Sequence, residues 1–482
     1  MRGTSRPITR RNLCSYLAAG AVFAPTLLIR GTAFAGLPPL PNLPATDAIL
    51  LRPGDSHFND YQAAFNARTM VTPQLRALCK TAKSVAVMID WCRTNNLRFA
   101  LRSGGHCYEG FSQSDSVVID TRLIRSVAVG GSADAPHVEV GAGASLGRIY
   151  KEVAAKGFAL PAGSCPTVGV SGHVLGGGYG YLARPLGLAC DSLVSADLVD
   201  PDGHQIQAND SQNADLFWAC RGGGGGSFGA ATAFTFKLYP VRTVLVFRMV
   251  WDLAPDAAAK VMSDWQSWAP HTSPNINPLL LVSRGRNGVS LRCMGQSVGS
   301  LPELKRELKA LSTSPRITSL SFIEAVNRLA GPDGWTYASA PMKGKSDYVT
   351  QPLTKEGIAA FMNEFSRRNN VTAICDAYGG AIWAKPSDAT AFPHRAGTLF
   401  QIQYVTDWKN PNDASARLGN ICELYKNLRS YMSGSAYVNY CDADLPNWAA
   451  AYWGPNLDRL KQIKAKFDPN NVFQHAQSVP LA

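Results

Sequence analysis

The sequence predicts an α+β protein built from two packed domains. Three observations lead there. The chain has 482 residues, 46% hydrophobic and 17% charged, which is enough apolar material for more than one core and too much for a disordered chain. Short strand-like runs alternate with helical runs up to about Val241. From Thr243 the texture changes to longer helices and strands with few glycines, as in a sheet covered by helices.

The first 35 residues read as an address label. They hold Arg2, Arg6, Arg10, Arg11 and Arg30 and no acid, then an apolar run from Leu13 to Ile29 broken by Pro25, then Ala33-Phe34-Ala35. The run is too short and broken for a membrane span, and the last three residues form a small-x-small cleavage pattern. The paired arginines predict twin-arginine export, with an ordinary secretory signal as the alternative. Cleavage after Ala35 removes five arginines, so the formal charge falls from +12 to +7. Of 11 cysteines, Cys14 leaves with the signal. A chain that crosses the membrane already folded need not pair the rest. These features predict a periplasmic or extracellular protein with no stable membrane anchor. The modest basic excess, with no basic motif or aromatic ladder, argues against nucleic acid.

The elements follow in order. Residues 36–68 begin with Pro38, Pro39, Pro41 and Pro44 and read as an extended leader. Leu75, Leu78, Val85, Val87, Ile89 and Trp91 predict a mostly helical stretch over 75–95. A strand through Leu97, Phe99 and Leu101 ends in Arg102-Ser103-Gly104-Gly105-His106. Strands are predicted at Ser116–Asp120, Val127–Val129 and Val138–Val140, and a helix at Ala144–Lys156. Beyond 243, strands at Val244–Trp251 and Gly288–Met294 accompany helices at Ala257–Trp268, Pro302–Leu311 and Lys355–Arg368. A last helix spans about Asn456–Phe467. The boundaries are therefore a signal at 1–35, a leader at 36–68, a first domain at 69–242, a second at 243–436 and a closing segment at 437–482.

Chemistry concentrates in the first domain. Residues 101–230 are about a quarter of the chain and hold 24 of its 43 glycines. Gly141-Ala142-Gly143 with Gly147 misses the dinucleotide fingerprint by one residue and reads as a tight strand-to-helix turn. Gly104 and Gly105 let backbone approach a planar or phosphate group beside His106; a turn with a satisfied histidine is the plainer reading. Cys165 sits on a turn fixed by Pro166, where burial as a small hydrophobe is the ordinary outcome. His173 reads as a structural hydrogen-bonder. The run Gly222–Gly226, flanked by Leu216-Phe217-Trp218 and Ala233-Phe234-Thr235-Phe236, reads as a rigid nest for a pyrophosphate rather than a linker. No metal site is predicted.

The order of these clusters resembles the berberine-bridge-enzyme-like FAD-linked oxidases of the vanillyl-alcohol-oxidase superfamily, in a bacterial exported form. The likeness continues through Asp215-Leu216-Phe217-Trp218, Thr390-Ala391-Phe392-Pro393-His394-Arg395, Tyr437-Val438-Asn439-Tyr440 and Asp468-Pro469-Asn470-Asn471-Val472-Phe473. It implies a two-lobed PCMH-type FAD-binding domain plus a substrate domain. It implies FAD joined covalently to His106 and Cys165, with Arg102, Ser103, Gly104, Gly105, Gly169, Gly172, Gly229 and Asn471 as cofactor contacts. Val168 matches a position governing oxygen access, where a small residue goes with oxidase behaviour. The substrate, a sugar or secondary-metabolite alcohol, would surrender a hydride to flavin and a proton to a base, and O2 would become H2O2. Dehydrogenase action, or a flavin-holding protein with little turnover, are the alternatives; a candidate base opposes the latter.

That base is expected to be Tyr440, with Tyr437 in support. A strand there would put Tyr437 and Asn439 on one face and Tyr440 on the other. An ordinary phenol near ~10 is a poor base at neutral pH, so its pKa must be lowered. Gln403 matches a substrate-side position, and Asp376 and Tyr378 are expected nearby. Trp251, Trp335, Trp383 and Trp408 offer candidate sugar-stacking faces or plain core.

Overall fold

The structure is a computed structural model that describes residues 36–132, 134–311, 314–331, 334, 336 and 339–481. The export signal and Trp335 lie outside the described residues.

The first sheet contains β1 (Ala48–Leu51), β2 (Leu75–Cys79), β3 (Phe99–Arg102) and β4 (Val117–Asp120), in the order β1-β2-β4-β3. β2 and β3 run parallel to β4, and β1 pairs antiparallel with β2. A helix over Ala82–Thr94 links β2 to β3 and starts where the Thr81 hydroxyl accepts the Ser84 N–H at 3.1 Å. Two expectations change here. The leader supplies an edge strand, β1. Leu75 and Leu78 belong to a strand rather than a helix. β2 is buried along its whole length, Arg76 included, so the alternation that marks a half-exposed strand is missing.

The second sheet holds β5 (Val127–Gly131), β6 (Pro136–Gly141), β7 (Leu193–Val199), β8 (Gln205–Asn209) and β9 (Ala230–Lys237), in the antiparallel order β5-β6-β9-β7-β8. The Gly141–Gly147 stretch is the tight turn its spacing predicts. A Cβ at Gly143 would stand 2.0 Å from the Thr121 carbonyl oxygen, and Ser145 then caps the helix Leu146–Ala155.

The third sheet is fully antiparallel: β10 (Thr243–Leu253), β11 (Ile276–Arg284), β12 (Val289–Ser297), β13 (Arg316–Ser321), β14 (Met342–Val349), β15 (Thr372–Ala377) and β16 (Phe400–Asp407), in the order β13-β10-β12-β11-β15-β16-β14. Helices Pro255–Trp268, Lys355–Arg367 and Ala414–Leu428 cover one face. Met262, Trp265, Phe361, Phe365 and Leu424 pack there against Leu280, Leu291, Cys375 and Ile402. The period of two then turns Asp376, Gln401 and Gln403 to the other face, toward the first domain.

The closing segment returns to the first domain. The Asp468 carboxylate accepts N–H groups from Val472 (2.7 Å) and Phe473 (2.9 Å) and the Lys464 ammonium (2.6 Å). Lys464 also donates to the Ser227 carbonyl at 2.7 Å, tying the Asp-Pro-Asn-Asn turn to the glycine run. No helix of the described residues is long and apolar enough to cross a membrane.

Candidate active site

A cavity of about 400 Å³ opens between the two domains. Its walls come from the loop after β3, from residues 163–173, from the glycine run before β9, from Gln403 of β16, from Val438–Cys441 and from Phe473–Gln477. Almost all the predicted cofactor residues meet on it.

His106 and Cys165 are brought together by a residue the sequence reading passed over. The Thr167 hydroxyl lies 3.1 Å from His106 Nε2 and 3.4 Å from Cys165 Sγ. Phe65 stacks on the imidazole at 4.3 Å. Burial pushes the His106 pKa down to about 4, so the ring is neutral at physiological pH and keeps a nucleophilic nitrogen. Val168 borders the same space. His173 is structural, as expected: its Nε2 receives the Gly163 N–H at 2.9 Å.

The glycines divide into two kinds. A Cβ on Gly104 would sit 2.2 Å from the Gly169 nitrogen, and one on Gly169 would sit 2.3 Å from the Gly104 nitrogen. These two serve a backbone crossing that sets the His106 and Cys165 loops side by side. A Cβ on Gly172 would meet nothing within 4 Å, although the residue lines the cavity. That empty wall, facing the run Gly224–Ser227, is the kind of cradle a flat cofactor with a pyrophosphate needs. Gly105 and Gly229 also line the cavity.

Arg102 and Ser103 are on the wall but are engaged elsewhere. Arg102 is 3.6 Å from Asp120, whose carboxylate also receives Arg76 (3.1 Å) and Arg122 (2.8 Å), and it donates to the Ala63 carbonyl. Ser103 and Ser171 both donate to the Ala142 carbonyl, at 2.7 and 2.6 Å. Asn471 does not reach the cavity. It holds a left-handed turn at φ 52°, and Gln474 and His475 line the wall instead. Asn tolerates that conformation better than most residues.

At the other end stand Tyr440, Gln403 and Tyr108. The Tyr440 and Tyr108 rings stack at 5.7 Å, and Gln403 Nε2 donates to the Tyr108 hydroxyl. The predicted strand at 437–440 is a 3-10 turn over Val438–Tyr440. Its tighter winding brings Tyr440 edge-on to Tyr437 at 4.9 Å rather than to the opposite face. Tyr437 is buried behind the wall. Its hydroxyl accepts N–H groups from Gly178 (2.9 Å), Tyr179 (3.3 Å) and Asn439 Nδ2 (2.9 Å), so it anchors the turn. Asp376 and Tyr378 are also behind the wall. Gln401 links them, donating to Asp376 at 2.8 Å and accepting from Tyr378 at 3.3 Å.

The electrostatics differ from the expectation of a lowered tyrosine. Burial, followed by Asp376 and the neighbouring phenols, pushes Tyr440 well above its ordinary value. Asp376 is the group shifted into the neutral range: burial raises it to about 7, opposed by the Gln401 hydrogen bond. Trp251, Trp383 and Trp408 are not on the cavity wall, which carries Trp453 instead. Tyr108, Thr167 and Gln474 had no sequence signal beyond their place beside the recognised motifs.

Comparison with known proteins agrees with this geometry. An FAD binding domain model matches residues 73–209, and a berberine and berberine-like model matches residues 436–480. An uncharacterized FAD-linked oxidoreductase, YgaK, of Bacillus subtilis is 33% identical over 443 residues, covering 88% of this chain and 95% of its own. The Arabidopsis thaliana monolignol oxidoreductase AtBBE-like 13 is 35% identical over 428 residues, covering 80% and 79%. The solved structure of Physcomitrella patens BBE-like 1 superposes with a TM-score of 0.84 at 30% identity, covering 91% of this chain and 98% of that one.

Proposed function

The chain belongs to the berberine-bridge-enzyme-like FAD-linked oxidoreductases, and from that premise we propose that it is an exported oxidase of a small-molecule alcohol, with FAD bound through both His106 and Cys165. The observation that carries this reading is the shared contact of His106 and Cys165 with Thr167 on the same cavity that Tyr440 lines. When bound, FAD would supply the hydride acceptor, a group that oxygen can reoxidise.

The chain's own residues do the rest. The empty face at Gly172 and the run Gly224–Ser227 receive the cofactor. Gln403 orients the Tyr108 hydroxyl, and Tyr108 braces the Tyr440 ring. Tyr440 Oη takes the proton of the substrate hydroxyl as a phenolate, so the phenol must first give up its own proton. Burial and the nearby Asp376 oppose that loss, and Asp376, at about 7, makes the local charge and hence the rate change across neutral pH. The small Val168 side chain supports oxygen as acceptor. The stacked Tyr108 and Tyr440, with Trp251, Trp383 and Trp408 off the wall, favour an aromatic secondary-metabolite alcohol over a sugar. AtBBE-like 13, named for monolignols, is consistent with that class.

The test is an anaerobic screen of aromatic alcohols and sugars that follows flavin bleaching, then peroxide on re-aeration. Bleaching by an aromatic alcohol followed by stoichiometric peroxide is expected. Bleaching without peroxide would make the protein a dehydrogenase. Export is tested by Arg10→Lys with Arg11→Lys, which should hold the protein in the cytoplasm.

A further inference from the structure

Two cysteines that the flavin chemistry leaves unused face each other across the cavity wall. Cys107, directly after His106, and Cys441, directly after Tyr440, have sulfurs 3.7 Å apart, though 334 positions separate them in sequence. Both line the cavity, and neither is in a disulfide. We propose that Cys107 and Cys441 form a redox modification site, in which a hydroperoxide closes a reversible disulfide that cross-links the cofactor-attachment loop to the Tyr440 turn and slows turnover.

The neighbourhood is built to hold the pair in place. Lys343 lies 2.8 Å from Glu109 and 2.6 Å from Asp442, so one buried ammonium clamps the two segments just beyond the sulfurs. Lys345 adds a second contact to Asp442 at 2.7 Å. Closing the contact to a bond of about 2 Å needs only a small approach. The two thiols are also unlike. The Cys441 hydrogen bond, with the Phe111 N–H donating to Cys107 Sγ at 3.2 Å, holds Cys107 below the ordinary thiol value. The same contact, with burial, raises Cys441. Such a pair gives one attacking and one resolving sulfur.

The chemistry balances. The Cys107 thiolate attacks one oxygen of hydrogen peroxide; the O–O bond breaks, an S–O bond forms, and the hydroxide that leaves takes a proton from solvent to become water. Cys441 then attacks the Cys107 sulfur; the S–O bond breaks, the S–S bond forms and a second water leaves. Two electrons pass from the two thiols to the peroxide. Drawing the turn toward the His106 loop shifts Tyr440 against Tyr108, and a displacement of ~1 Å at such a site costs up to about 100-fold in rate.

The test takes the flavin-loaded protein, reduced and desalted, and adds hydrogen peroxide. A non-reducing digest should show a Cys107–Cys441 linked peptide, with turnover falling about tenfold or more and returning on reduction. Cys441→Ser should instead leave a sulfenic acid at Cys107, captured by a dimedone-type reagent. Cys107 oxidised without the linked peptide, or linked to Cys165, would overturn the proposal. A linked peptide with unchanged turnover would overturn the switch. The peptide is read without any substrate, so this result stands apart from the oxidase reading.

Discussion

His106 Nε2 and the Thr167 hydroxyl lie 3.1 Å apart, and the same hydroxyl lies 3.4 Å from Cys165 Sγ. One small polar side chain therefore bridges the two proposed attachment residues. His106→Ala and Cys165→Ala should each leave a singly tethered flavin, and the double variant should release free FAD on denaturation. Thr167→Val should keep the fold while lowering the fraction of doubly attached flavin, through loss of a buried hydrogen bond of about 1–3 kcal/mol. Peptide mass spectrometry and the colour of the acid-precipitated protein read this directly. A colourless wild-type pellet would exclude covalent attachment.

The proposed base Tyr440 and the buried carboxyl of Asp376 should be separable by mutation. Tyr440→Phe should lower the rate of flavin reduction by about 10²–10⁴-fold, the range for loss of a general base. Asp376→Asn should retain more activity but lose the limb of the pH–rate profile near 7, because burial places that carboxyl at about 7. Full turnover in Tyr440→Phe would show that Tyr440 is not the base.

Stability should depend on pH in two opposite ways. Burial lowers His106, His173 and His475 to about 4. The unfolded chain binds those protons first, so stability present above about 6.5 is lost as pH falls toward 4, on the order of 3 kcal/mol for each ring. Asp376 has the reverse sign. Its folded pKa is raised, so its contribution is fully present below about 3.8 and is lost as pH rises through about 7. Asp376→Asn should therefore raise Tm above pH 7 and change little near pH 4. Thermal melts across pH check both signs.

The fold and the attachment wall were legible because their signals are local. Glycine clusters, strand periods and the Asp468 turn each depend on a few neighbouring residues. What was missed depends on distant partners. Leu75–Cys79 is a strand because β1 and β4 pair with its two edges while both of its faces are buried. The Tyr437–Tyr440 segment is a 3-10 turn because the Tyr437 hydroxyl is held by Gly178 and Tyr179, some 260 positions earlier. Cys107 and Tyr108 follow a recognised motif, yet only the return of residues 438–441 and β16 gives them a role.

Val168 tests the acceptor. Val168→Phe should leave anaerobic flavin reduction within a few-fold of wild type while sharply slowing reoxidation by oxygen, since the added ring fills space on the cavity wall. Stopped-flow measurement of the two half-reactions separates these effects. Equal slowing of both would point to distortion of the Thr167 contact rather than to oxygen access.

Gly104 and Gly172 look equivalent in sequence, but their surroundings predict opposite behaviour. An added Cβ at Gly104 meets the Gly169 nitrogen at 2.2 Å, so the crossing of the two loops must open. Gly104→Ala should destabilise the chain with or without flavin, as overpacking of tight backbone does, by about 1–3 kcal/mol or more. At Gly172 no protein atom lies within 4 Å of the new methyl, and the residue sits inside the helix Val170–Leu175. Alanine there should leave the flavin-free chain as stable as wild type, or up to about 1 kcal/mol more so. The same methyl projects into the space assigned to FAD, so flavin loading should fall. Melting of the flavin-free protein together with flavin content after expression distinguishes the two sites. Normal flavin content in Gly172→Ala would mean that the cofactor does not lie against that face of the helix.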